Sequence, residues 1–142
     1  MKDKYFIDTN VLVYSFDKTS KIKQRKAQKL ISAALSDSSG IISYQVLQEF
    51  INLATRKFKS SFSPGDTRKY LDEVLEPMCA VHSSIGLYFR AVRIQEESRF
   101  SFYDSLIVAG AMEGGCRILY TEDLQHGQKL AGLEIRNPFF DE

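Results

Sequence analysis

Short apolar runs alternate with longer stretches of helical period along this chain, and that alternation limits its fold more than any other feature. Tyr5-Phe6-Ile7, Ile41-Ile42, Met78 to Val81, Arg117 to Tyr120 and Leu133 to Arg136 have the length and composition of strands. Helical stretches lie between them. One begins at Val11. A second runs from about Ser20 to Leu35, with Ala27, Leu30, Ile31 and Ala34 on one face, and a third runs from an N-cap at Ser43 to Lys57. Others cover Asp66 to Leu75, ending near Pro77, and a Ser83 or Ser84 cap to Ser98. The last, Tyr103 to Met112, is nearly all apolar and is ended by Gly114-Gly115. Lys59 to Gly65 reads as a loop between helices. Strands separated by helices pair in parallel and are covered on both faces. The expected class is α/β, with a mostly parallel sheet of about five strands.

With 142 residues, 44% of them hydrophobic, the chain can bury one core, and a single domain over 1–142 is expected. Nothing resembles a secretory signal or a membrane span, so the expectation is a soluble, cytoplasmic protein without membrane contact. Cys79 and Cys116 lack the spacing of a zinc site or disulfide framework and read as reduced, largely buried thiols. A net charge of +1 does not advertise a nucleic-acid binder, but the basic residues cluster. Lys18, Lys21, Lys23, Arg25, Lys26 and Lys29 form one group, and Arg56, Lys57 and Lys59 another. Either group can be a solvated helix face or a phosphate-binding rim.

Asp8, Glu49, Asp104 and Asp123 sit at ends of apolar runs, at a helix start or beside an apolar helix face. In an open parallel sheet, such positions share the crevice at the carboxyl ends of the strands. Carboxylates gathered there repel, by roughly 4 kcal/mol for two charges about 4 Å apart at an effective dielectric near 20. A hard divalent cation removes the conflict. Three of the acids also have local readings. Asp8 can cap the helix after it, Asp104 can complete a capping box begun by Ser101, and Asp123 can be a turn residue. Glu49 has no capping role. It lies about 40° from Leu53 on the helical wheel, at the border of the apolar arc.

The segments around these acids carry a family resemblance. Phe6-Ile7-Asp8-Thr9-Asn10-Val11-Leu12, Ser43-Tyr44-Gln45-Val46-Leu47-Gln48-Glu49-Phe50, Phe102-Tyr103-Asp104-Ser105-Leu106-Ile107 and Leu119-Tyr120-Thr121-Glu122-Asp123-Leu124 resemble the four motifs of PIN-domain ribonucleases. The likeness is strongest to the VapC-type toxins of bacterial toxin–antitoxin pairs, and it extends to Asn137-Pro138-Phe139. It implies an α/β/α sandwich and an endoribonuclease that uses Mg²⁺ or Mn²⁺ to hydrolyse RNA phosphodiester bonds. It also implies a cognate antitoxin and a homodimer. Asp8, Glu49, Asp104 and Asp123 match the family's acidic quartet, and Thr9, Asn10, Ser43 and Thr121 match the polar residues that support it. Many relatives carry a further acid at the position of Gln125, which leaves the number of metal ions open.

On this reading Asp8 and Asp104 are direct metal ligands, while Glu49 and Asp123 act through water or orient the attacking hydroxide. Neither His82 nor His126 is required. Lys21, Arg56, Lys57 and Arg99 are the candidate RNA contacts, and Tyr14, Phe62, Phe100 and Phe102 can stack on unpaired bases. Two alternatives stand beside it. A haloacid-dehalogenase-type phosphatase needs a second Asp where this chain has Asn10, and a non-catalytic PIN-like module that binds RNA or protein would not need the full quartet.

Overall fold

The computed structural model describes residues 3–56 and 62–140. The chain enters at β1 (Tyr5–Ile7) and continues through α1 (Thr9–Tyr14), α2 (Lys21–Asp37), β2 (Gly40–Ser43) and α3 (Tyr44–Arg56). Next come α4 (Pro64–Tyr70), a π-helical turn (Leu71–Leu75), α5 (Glu76–Met78), β3 (Cys79–Val81), α6 (Ile85–Ser98) and α7 (Phe102–Glu113). The chain closes with β4 (Ile118–Tyr120), β5 (Lys129–Leu130) and β6 (Leu133–Arg136).

The six strands form one sheet in the order β3-β2-β1-β4-β6-β5, all parallel except β5. The sequence reading has five of these strands. β5 carries no pattern of its own, being two residues that exist as a strand through antiparallel pairing with β6. Its hairpin turns on Ala131 (φ 46°) and Gly132 (φ 87°), the two positive φ angles that match a tight turn to the twist of the strands.

Glycines bring two helices onto opposite faces of the sheet. Gly40 of β2 lies so close to Ala34 of α2 and the Tyr5 ring that a Cβ would collide with both. On the other face, Gly110 of α7 rests against Phe6 and Ser43, and Gly114, just past α7, abuts Ile41 and Val81. The result is the three-layer sandwich. α7 is buried from Ser105 through Ala111, which explains its almost uniform apolarity. Phe6, Ile7, Val11, Leu12, Ile42, Val46, Phe50, Leu119 and Ile135 form the centre of the core.

Local signals set most helix starts. Ser84 and Ser101 accept hydrogen bonds from Leu87 N–H and Asp104 N–H, each at 3.1 Å. α4 starts two residues before the expected Asp66, because Pro64 takes the first helical position and Ser63 and Asp66 form a reciprocal capping box. As expected, the helical stretch ends near Pro77: α4, the π-helical turn and α5 follow one another without a break, and the helical conformation stops at Met78, one residue after the proline. Cys79 and Cys116 are free, and burial pushes the Cys116 thiol up to about 12. No helix among the described residues is long and apolar enough to cross a membrane.

Candidate active site

The sheet changes direction between β1 and β4. From β1 the chain winds outward to β2 and β3, then returns to β1's other edge with β4, so the loops after β1 and β4 diverge and leave a crevice. Ile7 pairs with Tyr120 at the last register position. Asp8 and Thr121 are therefore neighbours at the mouth of that crevice. Asp8 N–H donates to Tyr120 O at 3.0 Å, and Thr121 N–H to Arg136 O at 3.0 Å, fixing both residues by backbone bonds before their side chains act.

Asp8 is 5% exposed. Its Oδ1 accepts from Thr9 N–H at 2.7 Å, and its Oδ2 from the Thr121 hydroxyl at 2.8 Å and Asn10 Nδ2 at 3.4 Å. Asp8 therefore does cap α1, as its local reading has it, but with one oxygen only. Burial raises the Asp8 carboxyl to about 7. The Thr121 and Thr9 hydrogen bonds act against that shift, while the charges of Asp123 and Glu49 add to it. Glu49, half-buried on α3, accepts from the Thr9 hydroxyl at 2.6 Å. Thr9 thus joins two acids, its N–H serving Asp8 and its O–H serving Glu49.

Thr121 is fully buried and organises the other side. Its hydroxyl oxygen also accepts from Asn10 Nδ2 at 3.2 Å and from Asp123 N–H at 3.1 Å. Asn10 Oδ1 accepts from Glu122 N–H at 3.4 Å, so both peptides flanking Glu122 are tied to the α1 start. Asp123 is exposed. Thr9, Asn10, Glu49 and Asp123 line a cleft of about 470 Å³ whose remaining walls are Val13, Tyr14, Asn52, Leu53 and Glu122.

No hydrogen bond among the described residues links Asp104 to the other three acids. Asp104 lies half-buried in the first turn of α7, its N–H bonded to Ser101, and its carboxylate makes no hydrogen bond to another described residue. Ser43 is buried at the end of β2, where its hydroxyl accepts from Val46 N–H at 3.4 Å, so it caps the helix carrying Glu49. Of the candidate RNA contacts, Lys21, Arg56 and Arg99 are exposed and none lines the cleft, while Lys57 falls outside the described residues. Tyr14 lines the cleft. Phe62, Phe100 and Phe102 instead pack against the core.

Two contributors escaped the sequence reading of the site. Lys23 donates to Glu122 Oε2 at 2.6 Å and to the Tyr14 hydroxyl at 3.3 Å, and Tyr14 donates to Glu122 Oε1 at 2.7 Å. Gln45 donates to Glu49 at 3.3 Å. Lys23 was visible only as one of six cations in a basic segment. Gln45 sits four residues before Glu49, a helical neighbour whose spacing was the available signal.

The donor set is entirely hard oxygen, the chemistry suited to Mg²⁺ or Mn²⁺, and Mg²⁺ is commonly held by one or two carboxylates with waters and substrate phosphate supplying the rest. Among the described residues no three acidic, His or Cys side chains form a ready-made cation cage. The residues fit a hard cation in chemistry and in excess negative charge, and waters and substrate phosphate would supply its remaining ligands.

Comparison with known proteins supplies the lineage. No curated protein matches the sequence. Several solved structures share the fold, and three of them show the extent of the likeness. A toxin–antitoxin complex from Klebsiella pneumoniae is 19% identical, with TM-score 0.69 and coverage of 96% of this chain and 98% of that one. DNA-bound VapBC from Salmonella typhimurium is 17% identical, with TM-score 0.68 and coverage of 96% and 99%. VapC20 of Mycobacterium tuberculosis, a sarcin-ricin loop cleaving toxin, is 17% identical, with TM-score 0.58 and coverage of 84% and 90%. The PIN domain family profile matches residues 5–129, so most of the sequence, both strands at the crevice and all four acids included, places this chain in the PIN-domain family.

Proposed function

We propose that the protein is a divalent-metal-dependent endoribonuclease and the toxin of a VapC-type toxin–antitoxin pair. The observation that carries this reading is the burial of Asp8 at the sheet's switch point, with Glu49 and Asp123 as its neighbouring charges. A carboxylate so placed is costly unless a cation meets it. Membership of the PIN-domain family and the shared fold with VapC toxins support the same assignment.

In the proposed mechanism, Asp8 and Asp104 would hold Mg²⁺ or Mn²⁺, and Glu49 and Asp123 would act through water. The ion, when bound, supplies Lewis-acid stabilisation of the phosphoryl oxygens and lowers the pKa of water. The chain's own residues do the rest. Thr9 fixes Asp8 and Glu49 relative to each other, Thr121 holds Asp8 and the backbone at Asp123, and Asn10 ties the β4 loop to α1. Glu49 and Asp123 face the cleft, where each can accept a proton from an attacking water. Lys21, Arg56, Lys57 and Arg99 are assigned to the RNA backbone.

An antitoxin and a second copy of the chain are the proposed protein partners, and Ile85 and Phe89, 70% and 74% exposed one turn apart on α6, give an apolar surface for such contacts. Incubating antitoxin-free protein with single-stranded and structured RNA tests the activity. Cleavage should require Mn²⁺ or Mg²⁺, stop in EDTA and be abolished in Asp104→Asn. No cleavage in either metal would leave the non-catalytic module as the better reading, and metal-independent cleavage or full activity in Asp104→Asn would overturn the metal mechanism.

A further inference from the structure

Gln45 occupies an uncommon position. Its Nε2 donates to Glu49 Oε2 at 3.3 Å and to the carbonyl of Tyr103 at 3.2 Å. An amide nitrogen carries two N–H groups, so one glutamine can serve both acceptors. Both acceptors fix which end of the amide faces them, because turning it over would set oxygen against oxygen. The consequence is visible at the other end. Gln45 Oε1 is buried and finds no donor among the described residues. A buried acceptor without a donor is unfavourable, and a glutamine kept only for packing would be replaced at no loss by an apolar side chain of the same length.

The two acceptors belong to different parts of the acidic quartet. Glu49 stands one helical turn after Gln45 on α3, and Tyr103 immediately precedes Asp104 on α7. Glu49's other oxygen is held by Thr9, whose N–H serves Asp8. Contacts therefore run without a break from Asp8 through Thr9, Glu49 and Gln45 to the backbone beside Asp104. Within that series, among the described residues, Gln45 is the side chain that reaches α7, and no other hydrogen bond ties Asp104 or its flanking backbone to the other acids.

We propose that Gln45 is a positioning residue that orients the Glu49 carboxylate and registers the first turn of α7, and with it Asp104, against the other acids. This rests on the nuclease reading of the same site. A double-mutant cycle between Gln45→Met and Glu49→Gln tests it, with cleavage of a labelled single-stranded RNA in Mn²⁺ as one readout. Gln45→Met should lower kcat about tenfold with KM for RNA changed less than about twofold, and should add less than about twofold in the Glu49→Gln background. An equal loss in both backgrounds, or an unchanged kcat, overturns the proposal.

The second readout needs no activity. In EDTA, the Gln45 side-chain amide proton resonances should shift on Glu49→Gln, because one of their two acceptors changes from a carboxylate to an amide. Unmoved resonances overturn the contact even if the wild type cleaves RNA. A wild type that cleaves nothing, with those resonances shifted, defeats the nuclease reading and leaves the Gln45 contact standing without a catalytic role, which also overturns the proposal as stated.

Discussion

In metal-free buffer, wild-type protein should lose stability relative to Asp8→Asn as the pH rises from about 4 to 7, and the difference should then level off. The Asp8 carboxyl titrates at about 7 when folded against an ordinary value of 3.8. Between those values the folded state binds the proton more tightly than the unfolded state, so raising the pH favours unfolding. At about 1.4 kcal/mol per pH unit, the span of roughly three units amounts to about 4 kcal/mol. Asparagine removes the charge but brings its own loss. Its nitrogen cannot accept from the Thr121 hydroxyl or Asn10 Nδ2, as Asp8 Oδ2 does, at about 1 kcal/mol per bond. Asp8→Asn should accordingly be more stable than wild type by about 2 kcal/mol at pH 8, and about 2 kcal/mol less stable near pH 4. Urea denaturation followed by circular dichroism in EDTA, repeated at each pH, measures the difference curve. Two parallel curves would refute the reasoning, since they would mean that Asp8 titrates alike in folded and unfolded chains.

Two further predictions concern the scaffold. Gly40→Ala should lower stability by about 1–3 kcal/mol, because the added methyl meets Ala34 and the Tyr5 ring where α2 crosses β2, and a thermal melt unchanged from wild type would contradict that packing. Ala131→Asn should raise stability by about 1 kcal/mol, since Ala131 holds a left-handed conformation at φ 46° that asparagine adopts more readily; a lower midpoint in urea would count against the two-residue turn.

Much of this molecule is a consequence of local patterning. Apolar runs of strand length separated by amphipathic helices leave a parallel sheet with two covered faces as the workable arrangement, and serine caps and Gly114-Gly115 mark helix ends because backbone groups there need local partners. The motifs around Asp8, Glu49, Asp104 and Asp123 were equally legible, since each is a short contiguous segment. β5 was not legible, because two residues hold strand geometry only when a partner strand supplies their hydrogen bonds.

Tertiary structure alone decided how the acids relate. The register of Ile7 with Tyr120 brings Asp8 to Thr121, separated by 113 positions in sequence, and no local pattern encodes a strand register between distant segments. The same closure buries Asp8 and raises its carboxyl, leaves Asp123 exposed, and turns Ser43 to helix capping. It also selects Lys23 from its cluster for Glu122 and sets Gln45 between Glu49 and the start of α7. Residue type determined which groups can carry charge or donate a hydrogen bond. Burial and distance, which exist only once the chain has closed on itself, determined which of them meet.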